Sequence, residues 1–178
     1  TGRSQGSCYG PSTRYRDWKR VVPHSPHIVA RRSAACHAIA RHAGPQTDWK
    51  VETDGGFSHI TSKQMRDRLE QTDYSIGLTF EEDAENIGVR SVELPEEMRG
   101  QGVGTQLYLQ AIQYAKDNGL GFKSDLAPTP DAIKVYARLA QSGIPITQQH
   151  VESEGGKVLQ FSIPAEALQE VEIGNTDG

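Results

Sequence analysis

The chain has 178 residues, of which 35% are apolar and 24% are charged. This length suits one domain of the usual size, about 100–150 residues, with a shorter appendage. No apolar run approaches the roughly 18 residues of a membrane-spanning helix, and no secretory leader is expected. The two cysteines, Cys8 and Cys36, form no paired motif. We therefore predict no metal site and expect a reducing compartment, with a disulfide between the two as the alternative.

Charge divides the chain near residue 45. Residues 1–45 hold eight basic residues and one acidic residue, a formal charge of +7, whereas the remainder holds 11 basic and 22 acidic residues, a charge of −11. Residues 1–26 lack any periodicity and predict an extended arm, and residues 27–43 predict a basic, weakly amphipathic helix. Such a segment is expected to bind nucleic acid or an acidic protein assembly, with a solvated tail as the alternative.

The middle of the chain predicts strands first and helices later. Residues 49–52 alternate apolar and charged side chains, as a strand with one buried face does, and helix-forming residues follow over 61–69. Residues 74–80 alternate apolar and polar side chains, and residues 88–94 form a second apolar strand after an acidic turn. We expect these last two strands to form an antiparallel hairpin.

Two amphipathic helices dominate the second half. One is predicted from Thr105 to Asp117, where Asn118-Gly119 ends it, and the other runs from Pro130 to Gly143. Short strands are expected before and after the second helix, at residues 120–124 and 158–163, and a short closing helix at residues 165–171.

The turn Arg99-Gly100-Gln101-Gly102-Val103-Gly104 lies between a predicted strand and a predicted helix. Glycines let backbone N–H groups approach a ligand closely, and a helix begins with unpaired N–H groups and a positive dipole end. This context favours a pyrophosphate site. A dinucleotide fold would need a leading parallel strand, and a kinase-type phosphate loop would need Gly-Lys-Ser/Thr. A glycine-rich turn without a ligand is the alternative.

The segment VELPEEMRGQGVGTQL, residues 92–107, resembles the acyl-coenzyme A signature of the GNAT N-acetyltransferase superfamily. The segment AIKVYARL, residues 132–139, is similar to the Ala-x-x-x-Tyr helix of that family. The resemblance implies an α/β (α+β) fold over residues 46–165, with a central mixed, mostly antiparallel sheet flanked by helices. Residues 166–178 would then be a C-terminal tail.

The resemblance also implies the residues of the site. Acetyl-coenzyme A (acetyl-CoA) is expected to contact the strand before the turn, the turn itself and the start of the next helix; the residues are Val92, Leu94, Arg99, Gly100, Gln101, Gly102, Val103, Gly104, Thr105 and Thr129. Tyr136 lies where the family often places the general acid, with a core aromatic as the alternative. Glu93 is the candidate general base, with a surface glutamate or Asp125 in its place as alternatives.

The implied activity is transfer of an acetyl group from acetyl-CoA to an amine, on a small molecule or a protein, by direct attack. The alternative is a catalytically inactive, virion-associated protein of this fold, because residues 119–136 also look like phage-encoded acetyltransferase-like domains. The expected location is the cytoplasm of a bacterial or virus-infected cell, with association with a virion as the alternative. Acceptor pockets in the family are built by variable segments, here residues 54–73 and 144–157.

Overall fold

The computed structural model of the protein describes residues 48–69 and 76–173. The predicted basic arm and helix, residues 1–45, lie outside the described residues. The described part contains seven strands and four helices, joined in places by short turns. The strands are β1 (Lys50–Asp54), β2 (Phe57–Thr61), β3 (Gly77–Glu82), β4 (Asn86–Glu93), β5 (Gly121–Lys123), β6 (Thr147–Ser153) and β7 (Gly156–Ile163). The helices are α1 (Lys63–Leu69), α2 (Val103–Asp117), α3 (Pro130–Gln141) and α4 (Ala165–Gln169), and Glu96–Met98 forms one turn of 3₁₀ helix.

The strands form one sheet in the order β1-β2-β3-β4-β5-β7-β6. Every neighbouring pair is antiparallel except β4 and β5, which are parallel. The parallel pairing joins residues 86–88 to residues 121–123 and then stops, although β4 continues to Glu93. The expected mixed, mostly antiparallel sheet with flanking helices is confirmed, and its centre opens where β4 and β5 lose contact.

The predicted hairpin of two apolar strands is formed by β3 and β4. Leu78 and Phe80 of β3 and Ile87 and Val89 of β4 are buried. The register shifts between Thr79, which faces Ser91, and Phe80, which faces Val89, so that Arg90 is an extra residue on β4. Such a bulge bends the strand locally while the apolar side chains stay on one face.

Helix α2 covers that apolar face. Its fully buried residues Leu107, Ala111, Ile112 and Ala115 recur at helical spacing, and the helix contacts β2, β3, β4 and β5. Gly119, with φ +69°, follows its C-terminus, as the sequence predicts. Helix α4 packs on α2, where the Gln169 side chain donates to the Lys116 carbonyl group at 2.9 Å.

Two strands were absent from the sequence-based prediction. The sequence predicts a turn at residues 54–56 and helix-forming residues from Thr61 to Leu69, with Ile60, Met65 and Leu69 near one face, and it assigns no element to most of β2. In the structure Ser58 and Ile60 are buried while His59 is not, which is strand alternation over only five residues. The β6 segment lies at the sheet edge, and its exposed polar residues leave no periodic signal.

Gly121 lies where β4, β5 and β7 meet. A Cβ atom at this position would lie 2.5 Å from the Asn86 Oδ1 atom and 3.0 Å from the Ile163 carbonyl oxygen. The Gly121 N–H group donates to the Glu85 carbonyl group at 2.7 Å. A side chain at this position would therefore have to displace the Asn86 side chain and push the Ile163 carbonyl group slightly, so the start of the strand favours glycine. No helix among the described residues is long and apolar enough to cross a membrane.

Candidate functional site

A cavity of about 580 Å³ opens beside the split between β4 and β5. Its wall combines the end of β4, the glycine turn, the first residues of α2, the segment after β5 and one face of α3. The lining residues are Val92, Leu94, Met98, Arg99, Gly100, Gly102, Gly104, Thr105, Tyr108, Asp125, Thr129, Asp131, Ala132, Lys134, Val135 and Arg138. The volume lies within the range of small-molecule and cofactor sites, about 300–1,000 Å³. The cavity therefore has room for a ligand.

The glycine turn presents the N-terminus of α2 to this cavity. Gly100 and Gly102 have φ of +73° and +84°, a conformation that side-chain-bearing residues rarely adopt. Gly102 caps α2 without a side-chain hydrogen bond, and the first bond of the helix joins the Gln106 N–H group to the Gly102 carbonyl group at 3.1 Å. The N–H groups of residues 103–105 thus have no partner within the helix, and they mark its positive end.

Side chains around the turn hold it against β4 rather than filling the cavity. The Arg99 Nε–H group donates to the Leu94 carbonyl group at 2.9 Å. Gln101 folds back and donates to the Glu97 carbonyl group, so it does not line the cavity. Val103 is buried in the core and is 1% exposed. Of the turn residues predicted to bind, Gln101 and Val103 can act only through their backbones.

One face of helix α3 lines the cavity and the other packs in the core. Asp131, Lys134, Val135 and Arg138 recur at helical spacing and line the cavity. The Lys134 ammonium group donates to the Asp131 carboxylate at 2.8 Å, and Arg138 is exposed. Sequence reasoning missed Lys134 and Arg138, although they share the helix face of Asp131. Together with Arg99, they place three cationic side chains in the cavity wall.

Thr129 both lines the cavity and begins α3. Its hydroxyl oxygen accepts a hydrogen bond from the Ala132 N–H group at 3.2 Å, which is the N-cap arrangement, and Pro130 follows at the first helical position. The Thr129 side chain is therefore engaged with the helix. Its role toward a ligand stays a prediction.

Tyr136 lies on the core face of α3. It is 0% exposed and does not line the cavity. Its ring stacks on Phe161 at a centroid distance of 4.6 Å and meets Tyr108 edge-on at 5.0 Å. Its hydroxyl group makes no hydrogen bond of good geometry, and burial raises its pKa well above the ordinary value, with the neighbouring Tyr108 adding to that shift. The structure places this predicted general acid one layer below the cavity.

Tyr108 is the tyrosine that the structure brings to the cavity wall, and sequence reasoning missed it. It follows Gly104 by four residues and Thr105 by three, so all three share one face of α2. Only 3% of the residue is exposed. Burial raises the pKa of Tyr108 to about 12, the Tyr136 hydroxyl lowers it slightly, and the Asp125 carboxylate raises it further.

The two candidate bases lie in different places. Asp125 follows β5, lines the cavity and accepts a hydrogen bond from the Ala127 N–H group at 3.0 Å. Burial raises the pKa of its carboxyl group. Glu93 is exposed at the end of β4 and does not line the cavity. Because Val92 and Leu94 do line it, strand alternation directs Glu93 away from the other two.

Residues 69–140 match the model of the Acetyltransferase (GNAT) family. The matched range contains the split between β4 and β5, the glycine turn, Tyr108 and Tyr136. The resemblance to the GNAT family that the sequence shows over these residues is therefore confirmed. The GNAT match supports an acyltransferase in general terms.

Among solved structures, the chain is similar to a crystal structure from Agrobacterium tumefaciens described as a "putative acetyltransferase". The two sequences are 18% identical, the alignment covers 89% of this chain and 97% of that chain, and the TM-score is 0.39. No curated protein matches the chain.

Proposed function

We propose that the protein transfers an acetyl group from acetyl-CoA to an amine by direct attack of the amine on the thioester. One observation carries the proposal. The uncapped N-terminus of α2, preceded by Gly100 and Gly102 in the left-handed region, opens into a cavity lined by three cationic side chains. Backbone N–H groups and a helix dipole in this arrangement favour a pyrophosphate.

The residues of the cavity fit the parts of acetyl-CoA. The N–H groups of residues 103–105 would bind the pyrophosphate, and Arg99, Lys134 and Arg138 would add charge-assisted contacts to phosphate oxygens. The apolar side chains of Val92 and Leu94 lie along the wall beside the split sheet, where a thin pantetheine arm would lie. A side chain at Gly104 would meet Leu94, since its Cβ atom would lie 3.6 Å from the Leu94 Cδ1 atom. Bound acetyl-CoA supplies the activated acyl group.

Acyl transfer to an amine needs a base and a place for the leaving thiolate. The amine must lose a proton as its nitrogen bonds to the carbonyl carbon, and the sulfur takes the electron pair of the broken C–S bond. Two carboxylates line the cavity, Asp125 and Asp131. The hydrogen bond from Lys134 lowers the pKa of Asp131, whereas burial raises the pKa of Asp125, and a raised pKa makes a carboxylate a stronger base. We therefore assign the base role to Asp125 in preference to Glu93.

The acceptor is proposed to be cationic before it reacts. It then releases one proton to solvent, which frees the nitrogen lone pair for attack, and Asp125 takes the second proton as the N–C bond forms. Outside the basic segment of residues 1–45, the chain carries a formal charge of −11. A negative field attracts ammonium groups and raises their local concentration. The amine can belong to a small molecule or to a protein side chain.

The test is calorimetric titration of the full chain with acetyl-CoA, comparing Gly102→Glu with Gly55→Glu. Both glycines have positive φ, +84° and +58°, but Gly55 lies in the turn between β1 and β2, where an added Cβ atom would have no neighbour within 4 Å. We expect Gly102→Glu to weaken binding by roughly 100-fold or more, about 2.7 kcal/mol, because its carboxylate enters the anion site. Gly55→Glu should bind as the wild type does.

Thermal unfolding of the two variants controls for strain, which both substitutions introduce. Absence of binding by the wild type, or equal binding by Gly102→Glu and the wild type, would contradict the proposed site. Binding lost only in Gly102→Glu justifies a screen of amines for acetylation.

A further inference from the structure

Tyr108, in the wall of the cavity, belongs to an aromatic cluster with Phe122, Tyr136 and Phe161, which we call the inner end of the site. Tyr136 lies at the centre of this cluster, with ring centroids 5.0 Å from Tyr108, 6.3 Å from Phe122 and 4.6 Å from Phe161. Tyr108 and Phe122 are 6.4 Å apart. Tyr108 is the member of the cluster that lines the cavity. A ligand in the cavity would therefore meet the cluster through Tyr108.

Tyr108 lies one helical turn beyond the start of α2. Four residues separate it from Gly104, and a helix rises about 1.5 Å per residue, so the two are roughly 6 Å apart along the helix axis. Asp125 lines the cavity after β5, and its carboxylate raises the pKa of both tyrosines, so the three groups share one electrostatic environment. Because Gly104, Tyr108 and Asp125 all line the same cavity, a ligand whose phosphates lie on the turn is within reach of the Tyr108 and Asp125 side chains.

We propose that Tyr108 presents its hydroxyl group to the sulfur of the CoA thioester, and that Tyr136 is a positioning residue whose ring holds the Tyr108 ring from the core side. This inference rests on the proposed function. It differs from the role that the resemblance implies for Tyr136, which has no exposed surface and does not line the cavity.

Departure of the CoA thiolate requires a hydrogen-bond donor at the sulfur rather than an acid that gives up its proton. When the amine nitrogen bonds to the carbonyl carbon and the C–S bond breaks, the sulfur becomes a thiolate and accepts a hydrogen bond from Tyr108. A thiol has an ordinary pKa near ~8.5, below that of the Tyr108 phenol, so the phenol keeps its proton. The proton that the amine releases to Asp125 balances the charge, and the free thiolate takes its proton from solvent.

The experiment compares Tyr108→Phe with Tyr136→Phe, each of which removes one hydroxyl group and keeps the ring. Calorimetry measures the affinity of the full chain for CoA and for desulfo-CoA, which lacks the sulfur, at neutral pH and about pH 9. We expect the wild type to prefer CoA, and more so at the higher pH, where the thiol is ionised. Tyr108→Phe should reduce that preference by roughly ten-fold and remove its pH dependence, because a hydrogen bond to a charged group is lost. Tyr136→Phe keeps the ring that packs on Tyr108 and should reduce the preference less than Tyr108→Phe does. The control is Tyr114→Phe, which removes a hydroxyl group on the same helix as Tyr108 that donates to Glu82 and does not line the cavity, and it should stay within about two-fold of the wild type.

Turnover gives a second readout with any amine that the wild type acetylates. Tyr108→Phe should lower kcat by about 10²-fold with little change in the KM for acetyl-CoA, and Tyr136→Phe should change kcat far less. Thermal unfolding of Tyr108→Phe accompanies both measurements, and the ring that contacts Phe122 and Tyr136 is kept, so the fold should be retained.

The outcomes separate this inference from the proposed function. Loss of the sulfur preference in Tyr136→Phe but not in Tyr108→Phe would overturn the inference and return the role to Tyr136. Tight CoA binding with no sulfur preference would also overturn it, and the phosphate site would stand. Absence of CoA binding by the wild type would remove both.

Discussion

The two ends of the cavity are built in different ways. The outer end is one contiguous segment, residues 99–105, completed by a single face of α3. The inner end gathers side chains from α2, β5, α3 and β7, which are Tyr108, Phe122, Tyr136 and Phe161. An anion site can be formed by a few consecutive residues, because backbone N–H groups bind the anion. The contacts of a reacting group, in contrast, come from residues that are far apart in the sequence and that the core brings together.

The two ends also differ in how much their side chains contribute to the stability of the fold. Arg138 and Lys134 at the outer end are exposed, so they interact with ligand and solvent and add little to the fold. Tyr136 at the inner end is fully buried among aromatic rings. Changes at the outer end should therefore alter binding alone, and changes at the inner end should alter stability and activity together.

The largest expected difference between the ends is in stability. Tyr136→Ala should lower the free energy of unfolding by about 3–5 kcal/mol, because it opens a cavity in the core. Arg138→Ala, on the opposite face of the same helix, should stay within about 0.5 kcal/mol of the wild type. Denaturant titration measures both. A cost below about 1 kcal/mol for Tyr136→Ala would mean that the inner end is not part of the core.

The next effect concerns binding at the outer end. The double variant Lys134→Ala, Arg138→Ala should bind acetyl-CoA about ten-fold more weakly at low salt, because two cations near the phosphates are lost. The deficit should shrink at about 1 M salt, where screening acts over about 3 Å. Titrations at both salt concentrations measure it.

Lys157→Ala is the matched control for this double variant. Lys157 is the second residue of β7 and lies beside Glu152, with the Nζ and Oε1 atoms 3.7 Å apart, and it does not line the cavity. Its removal should leave binding unchanged at either salt concentration. An equal loss in the control would show that overall charge, rather than the cavity wall, governs affinity.

The smallest expected effect is the pH dependence of stability in Asp125→Asn. Burial raises the folded-state pKa of Asp125 above its ordinary value, so ionisation is easier in the unfolded chain and the charged carboxylate disfavours the fold. The variant should be more stable than the wild type at pH 7. Its advantage should disappear as the pH falls through the folded-state pKa toward about 3.9, the ordinary value of Asp.

Thermal unfolding across this pH range measures that difference. The Asn side chain keeps an oxygen that can accept from the Ala127 N–H group, so the turn itself is retained. A variant less stable than the wild type at pH 7 would show that the carboxylate has a favourable charge partner instead.

Much of the fold follows from patterns of short range. Strand alternation predicted the hairpin of β3 and β4, and helical spacing with glycine stops predicted α2 and α3. Strand β2 was missed because five residues are too few to separate strand from helix. Edge strand β6 was missed because one of its faces has no core to cover.

The site divides in the same manner. The glycine turn was predicted because positive φ and a following helix are properties of a few adjacent residues. The periodicity of α3 already placed Tyr136 on the apolar face, which is the core position that it occupies. Tyr108 lay within a predicted helix, but nothing in a single sequence shows that its side chain ends at a cavity, since the opposing wall comes from residues after β5 and on α3.

Gly121 influences the shape of the cavity although it does not line it. A side chain there would displace the Asn86 side chain and press on the Ile163 carbonyl group, which would push β5 away from β7 by a few tenths of an ångström. That strand carries Phe122 of the aromatic cluster and leads directly to Asp125, so both would move with it. In a random mutagenesis screen for lost activity, substitutions at Gly121 should therefore reduce activity as substitutions at lining residues do, although Gly121 does not line the cavity.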